Sequence, residues 1–203
     1  LDTLLATTIG KNGPTVGEHV RELIAKIGEN MSLRRTATVA VKDGVVASYV
    51  HNAAAPGMGK IGVLVALKST GDKARLIALG RQIAMHVAAA SPLAVSEKDL
   101  DPKTIERERA VFLEQAKASG KPAEIVAKMV EGRLKKEYFQ QVVLMQQVFV
   151  VDGKETVGTV IKAAEKDIGA PIEVTGFVRY ALGEGIARKT GDFAAEVAAM
   201  TKS

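Results

Sequence analysis

A short apolar run, a turn and a long helical pattern constrain the fold of this chain more than any other feature. Ile61 to Leu67 reads Ile-Gly-Val-Leu-Val-Ala-Leu, which has the length and β-branched content of a buried strand. Lys68 to Asp72 forms a polar turn, and the helix after it must stop at Ser91-Pro92, because proline cannot continue a helix. At about 100° per residue, Leu76, Ile77, Gly80, Ile83, Ala84, Val87 and Ala88 share one face. Glycine inside a helix costs about 1 kcal/mol against alanine, so Gly80 on that face predicts the close approach of another backbone. Leu79 and His86 fall at the edge of the face, and Met85 points to the opposite side. An outward Met beside an edge His hints at a second contact surface. Taken alone, the pair is better explained as a tolerated surface Met and a capped or solvated His.

The chain has 203 residues, 47% of them hydrophobic, enough for one large core or two modest ones. Its net charge of +5 favours an acidic partner, but no long Lys/Arg block concentrates that charge. The absence of Cys excludes disulfides and thiolate metal sites and fits a reducing compartment without proving one; a cytoplasmic location is expected. No apolar run approaches the roughly 20 residues that span a bilayer, and no signal peptide opens the chain. The first residue is Leu1 rather than Met, so a processed or partial chain is expected.

In order, Leu1 to Ile9 reads as the tail of a helix, and Lys11 to Pro14 as a turn. Thr15 and Glu18 form the T-x-x-E capping box, followed by Val16, Val20, Leu23, Ile24 and Ile27 at helical spacing, with Gly28 closing the helix. Thr36 to Lys42 and Val45 to His51 are β-rich runs joined by Asp43-Gly44, which predicts a type I′ hairpin there. Asn52 to Lys60 then reads as a loop. Ser96 to Ala118 and Pro122 to Tyr138 are charge-rich helices, each with a narrow apolar stripe, turning at Ser119-Gly120-Lys121-Pro122. So narrow a stripe predicts a protruding antiparallel hairpin that packs on itself or on a second copy rather than around its own core. Val142 to Val151 is strand-like, Glu155 to Ile168 helical, and Ile172 to Leu182 a half-buried strand.

An internal repeat underlies this order. Shifted by 141 residues, Thr15-Val16-Gly17 falls on Thr156-Val157-Gly158 and Ile27-Gly28 on Ile168-Gly169. The matching positions are caps and helix ends, where backbone geometry restricts residue choice. Two related helix-strand units are therefore expected, with the strand-helix of Ile61 to Ala90 and the helical hairpin between them.

Catalytic motifs are weak. Gly57 to Gly62 matches G-x-G-x-x-G, but a dinucleotide fingerprint needs a helix directly after it, and here a strand follows. Gly59-Lys60 lacks the first Gly and the Ser/Thr of a phosphate loop. His19, His51 and His86 have no ligand spacing. Arg34-Arg35 and Arg133 to Lys136 are short basic clusters with few aromatics for stacking. The residues themselves describe a two-part α+β binding protein with a helical arm, without cofactor, metal or catalytic residue.

Several segments carry a family resemblance: Ala25 to Asn30, Lys60 to Val65, Ile83 to Ala89, Ser119 to Pro122, Lys128 to Arg133, Glu173 to Phe177 and Asp192 to Met200. In order and over nearly the whole chain, they resemble bacterial translation elongation factor Ts. That resemblance implies a guanine-nucleotide exchange factor that binds the GTPase elongation factor Tu and promotes GDP release without covalent chemistry. It implies an α+β fold of two related helix-strand subdomains with small antiparallel sheets, an inserted helical hairpin and a C-terminal helix. The expected divisions are 1–92 for the first part of the core and 93–150 for the arm, a dimerisation module. The second core subdomain would be 151–186 and a C-terminal helical module 187–203. Partner-binding positions carried over are Ile61, Met85 and His86, with Asp192, Phe193, Val197 and Met200 on the tail helix. The family's Thr-Asp-Phe-Val wedge would lie before Leu1, so impaired exchange is expected of these residues alone. The loop Asn52 to Gly59 is longer than the family usually has, and Val148 stands where Pro is common. Expected partners are elongation factor Tu and a second copy through the arm, with no membrane and no direct nucleic acid. The alternatives are a ribosome- or RNA-associated adaptor and a purely structural oligomerisation module.

Overall fold

A computed structural model describes residues 1–117 and 120–186. The chain divides into two compact units, Leu1–Thr38 and a second from Val39 onward. In the first, α1 (Asp2–Leu5) and α2 (Val16–Ile27) are joined through a turn. Thr15 and Glu18 form the expected reciprocal cap: the Thr15 hydroxyl accepts from the Glu18 amide at 3.2 Å and the Glu18 carboxylate from the Thr15 amide at 2.8 Å. Gly28 ends the helix in the left-handed conformation, φ 79°. No residue of α2 is buried.

The second unit is built on one antiparallel sheet, β1 (Gly44–Ala55), β2 (Met58–Lys68) and β3 (Glu173–Ala181), in the order β1-β2-β3. The class is α+β, as expected, but the hairpin differs from the sequence reading. Thr36 to Lys42 forms no strand; β1 instead pairs with β2 around Pro56-Gly57, where Gly57 has φ 74°. Gly44 serves close approach, not a turn: a Cβ there would collide with the Leu67 carbonyl. Because β3 pairs with β2 only from Ile61 to Lys68, the hairpin overhangs the third strand. The overhang carries a register shift between Ala53 and Ala55, and Asn52 at φ 51°. Strands from either side of the arm thus share one sheet, and the described residues hold no separate second sheet.

Helix α3 (Lys73–Ala90) lies across this sheet, capped by Asp72, whose carboxylate accepts from the Ala74 and Arg75 amides at 2.8 and 3.0 Å. Its buried face is wider than the periodicity indicates. Leu79 and His86 are buried with the expected residues, while Ile77 is 38% exposed. A Cβ on Gly80 would lie 2.6 Å from the Ala47 Cβ and 3.3 Å from Leu67, so the glycine admits side chains of the sheet rather than a backbone. Helix α7 (Val157–Ile168) joins the same core through Val157, Ile161 and Ile168.

The helical half of the repeat is structural as well as sequential, whereas residues 32–40, which fall on β3 at the same offset, form no strand. Thr156 caps α7 through its hydroxyl, 3.2 Å from the Thr159 amide, and Gly169 ends it at φ 82°, close to Gly28. The approach to each helix also matches: the Val16 amide donates to the Thr7 carbonyl at 2.9 Å and the Val157 amide to the Gln147 carbonyl at 3.0 Å.

The arm comprises α4 (Pro102–Lys117), α5 (Ala123–Arg133), a π-helical stretch Leu134–Phe139 and the short α6 (Gln140–Val142). Contrary to expectation, it has a core of its own, with Phe112, Ala116, Val126, Val130 and Leu134 closed at the base by Ala94, Leu100, Phe139 and Val143. The helical stripes supply half of that cluster, and the chain entering and leaving the arm supplies the rest. Val142 to Val151 is not a strand. Its backbone groups are taken by two neighbours, Leu144 donating to Ala94 at 2.9 Å and Phe149 to Glu155 at 2.8 Å.

Candidate functional site

Arg179 shows which end of α3 meets which end of the sheet. It stands opposite Val63 on β3, and its Nε donates to the Ala88 carbonyl at 3.4 Å. The last turns of α3 therefore lie over the start of β2, where Ile61 sits between His51 and Ala181. Ile61 and Met85 are both half-buried. Two of the positions expected to meet a partner thus share one end of the body.

His86 corrects the sequence reading. Helical geometry places it at the edge of the core face, where a solvated or partner-contacting side chain is expected, yet it is 0% exposed. Chain more than sixty residues downstream covers it, a contact that local periodicity cannot reveal. The Val150 amide donates to Nδ1 at 3.2 Å, so Nδ1 is the acceptor and Nε2 carries the proton, 2.9 Å from the Gln147 Oε1. The Phe149 ring packs against the imidazole, centroids 5.7 Å apart. Burial pushes the His86 pKa below the ordinary imidazole value, and the Gln147 hydrogen bond only partly opposes this. His86 is a neutral, fully bonded brace.

What it braces is apolar and outward-facing. Val148, Val150 and Val151 are 54%, 46% and 45% exposed, while Phe149 between them is 2% exposed. The turn beneath is fixed by the Gly153 amide on the Phe149 carbonyl at 2.8 Å, and by Asp152, which accepts from the Lys154 amide at 2.9 Å. Ordering three valines outward costs free energy unless something covers them. Sequence reasoning missed these residues because Val-Phe-Val-Val reads as a strand. The available signal was Asp152-Gly153, which turns the chain too soon for one.

Asp192, Phe193, Val197 and Met200 lie outside the described residues. Among the described residues no group of three or more His, Asp or Glu converges as a metal site, and no helix is long and apolar enough to cross a membrane. The G-x-G-x-x-G run spans the β1–β2 turn and the start of β2, with no helix after it. Of the basic clusters, Arg133 is engaged: it donates to Glu137 at 3.0 and 2.9 Å and to Gln115 at 2.8 Å, and its guanidinium lies 4.2 Å from the centre of the Phe112 ring.

Residues 1–184 match the family described as Elongation factor TS. The chain belongs to the elongation factor Ts family. It is 55% identical over 202 residues to elongation factor Ts of Allorhizobium ampelinum, covering 100% of this chain and 65% of that protein. Elongation factor Ts of Rhizobium meliloti is 57% identical over 195 residues, covering 96% of this chain and 63% of that protein. Elongation factor Ts of Caulobacter vibrioides is 57% identical over 201 residues, covering 99% and 64%. The chain thus spans just under two thirds of the length of these elongation factor Ts relatives.

Proposed function

We propose that this chain is the GTPase-docking part of a cytoplasmic guanine-nucleotide exchange factor for elongation factor Tu, a translation factor rather than a catalyst of covalent chemistry. The observation that carries this reading is the outward valine loop, tied to a buried histidine through Phe149 and the Val150 amide, in a chain of the elongation factor Ts family. A rigid apolar surface suits protein docking, since its ordering cost is met before the partner arrives. Exchange would follow from preferential binding to the nucleotide-free GTPase, because a ligand shifts an equilibrium only by its differential affinity. The resemblance places the straining group in a Thr-Asp-Phe-Val run, which residues 1–203 do not contain. Docking and exchange should therefore separate.

The test is release of fluorescent GDP from elongation factor Tu, alongside titration of the same pair. Residues 1–203 should bind while accelerating release far less than a full-length relative. Equal acceleration would remove the wedge assignment, and absence of binding would remove the reading. If RNA were the partner instead, affinity would fall steeply with salt through phosphate neutralisation, whereas the apolar loop predicts a shallow dependence.

A further inference from the structure

Gln147 is 4% exposed, and each of its polar groups is engaged by a different part of the fold. Its Oε1 accepts from His86 on α3 at 2.9 Å. Its Nε2 donates to the Gln141 carbonyl at the arm's exit at 2.6 Å and to the Ala90 carbonyl, at the end of α3, at 3.4 Å. Its own carbonyl accepts from the first residue of α7, Val157, at 3.0 Å. It also lines an open groove of 620 Å³ between the π-helical stretch and the valine loop, with Lys136, Glu137 and Gln140 on one side and Val148 on the other. Three hydrogen bonds run in series: the Gln147 amide donates to the Gln141 carbonyl, His86 Nε2 donates to the Gln147 oxygen, and the Val150 amide donates to His86 Nδ1. A π-helical turn is rare and occurs frequently at functional sites. Here it ends at Phe139, two residues before Gln141, whose carbonyl feeds this relay.

We infer that Gln147 is a positioning residue that joins the arm to the valine loop, so that whatever displaces the arm changes docking at Val148 to Val151. The inference rests on the docking reading above. It makes the arm a lever on the site rather than a separate module. The lever acts through side-chain hydrogen bonds that have one satisfied arrangement, because a primary amide must present its oxygen to His86 and its nitrogen to Gln141.

The experiment is a double-mutant cycle on affinity for elongation factor Tu. Arg133→Ala loosens the arm, since Arg133 ties α4 to the π-helical stretch. Gln147→Glu keeps an acceptor for His86 but has no donor for Gln141. Each single change should weaken binding about tenfold, and the pair should weaken it little further, a coupling of at least about fivefold. Additive effects would show that Gln147 is merely structural and overturn the inference. Amide exchange at Val150 in Arg133→Ala gives a second reading that needs no change at Gln147: protection should fall about tenfold, and unchanged protection would also overturn the inference. Failure of the unaltered chain to bind would instead strike the docking reading.

Discussion

Replacing His86 by Ala leaves the Val150 amide and the Gln147 oxygen without partners and opens a cavity under Phe149. Each orphaned buried group costs about 1–3 kcal/mol. The melting temperature of the free chain should therefore fall by several degrees, contrary to the surface role expected from helical geometry. Loss of docking per folded molecule should accompany it, because the loop loses its brace; unchanged binding per folded molecule would separate His86 from the site. The same residue gives a pH dependence with a definite sign. Its folded pKa lies below its unfolded value, so the unfolded chain takes up the proton first as pH falls. Its contribution to stability is full above the unfolded pKa of about 6.5 and declines as pH drops from there toward the lower folded value. Urea midpoints between pH 8 and 5 should show that decline in the unaltered chain and a smaller one in His86→Ala. Gly80 is the other residue whose reason is now concrete. Alanine there gains about 1 kcal/mol of helix propensity, but its methyl would lie 2.6 Å from the Ala47 Cβ. Overpacking of that kind costs about 1–3 kcal/mol, so Gly80→Ala should destabilise the protein, and adding Ala47→Gly should restore part of the loss.

Among the elements, the arm is the most separable. Its apolar cluster shares no residue with the cluster of the sheet, α3 and α7. Replacing Leu100 to Phe139 with a short Gly-containing link should leave a body that melts cooperatively, checked by calorimetry; global unfolding would place the arm in the main core. The helices of the chain were largely legible in its sequence. Thr15-x-x-Glu18, Thr156 with Gly169, and the halt at Ser91-Pro92 mark ends by chemistry confined to a few neighbouring residues. The strands were less so. Asp43-Gly44 has the composition of a hairpin turn, but Gly44 is needed for close approach to Leu67, and the turn falls at Pro56-Gly57. Whether a glycine answers to φ or to space depends on what lies across the sheet. The site was the least legible part. His86 and the valine loop belong to one assembly only because Gln147 to Val150 folds back on α3, and no local pattern encodes that return.

For the molecule as a whole, the repeat has an uneven outcome. Helices α2 and α7 share caps, length and apolar spacing, yet α7 fully buries Val157, Ile161 and Ile168 while Val16, Val20, Leu23 and Ile24 of α2 are only half-buried. A helix of about three turns is marginal without tertiary cover, so amide exchange should be markedly faster in α2 than in α7; equal protection in the isolated chain would contradict this. A further consequence concerns how the protein behaves in concentrated solution. From Gly44 to Gly59 there is no Lys, Arg, Asp or Glu, and within that stretch the β1–β2 hairpin runs past the last pairing of β3 and ends in Met58, 63% exposed. Bare strand edges without a charge are what natural sheets usually guard against, because another chain can pair with them. The uncharged hairpin tip should therefore lower the solubility of this protein, and Ala54→Lys should raise it while leaving the melting temperature in place.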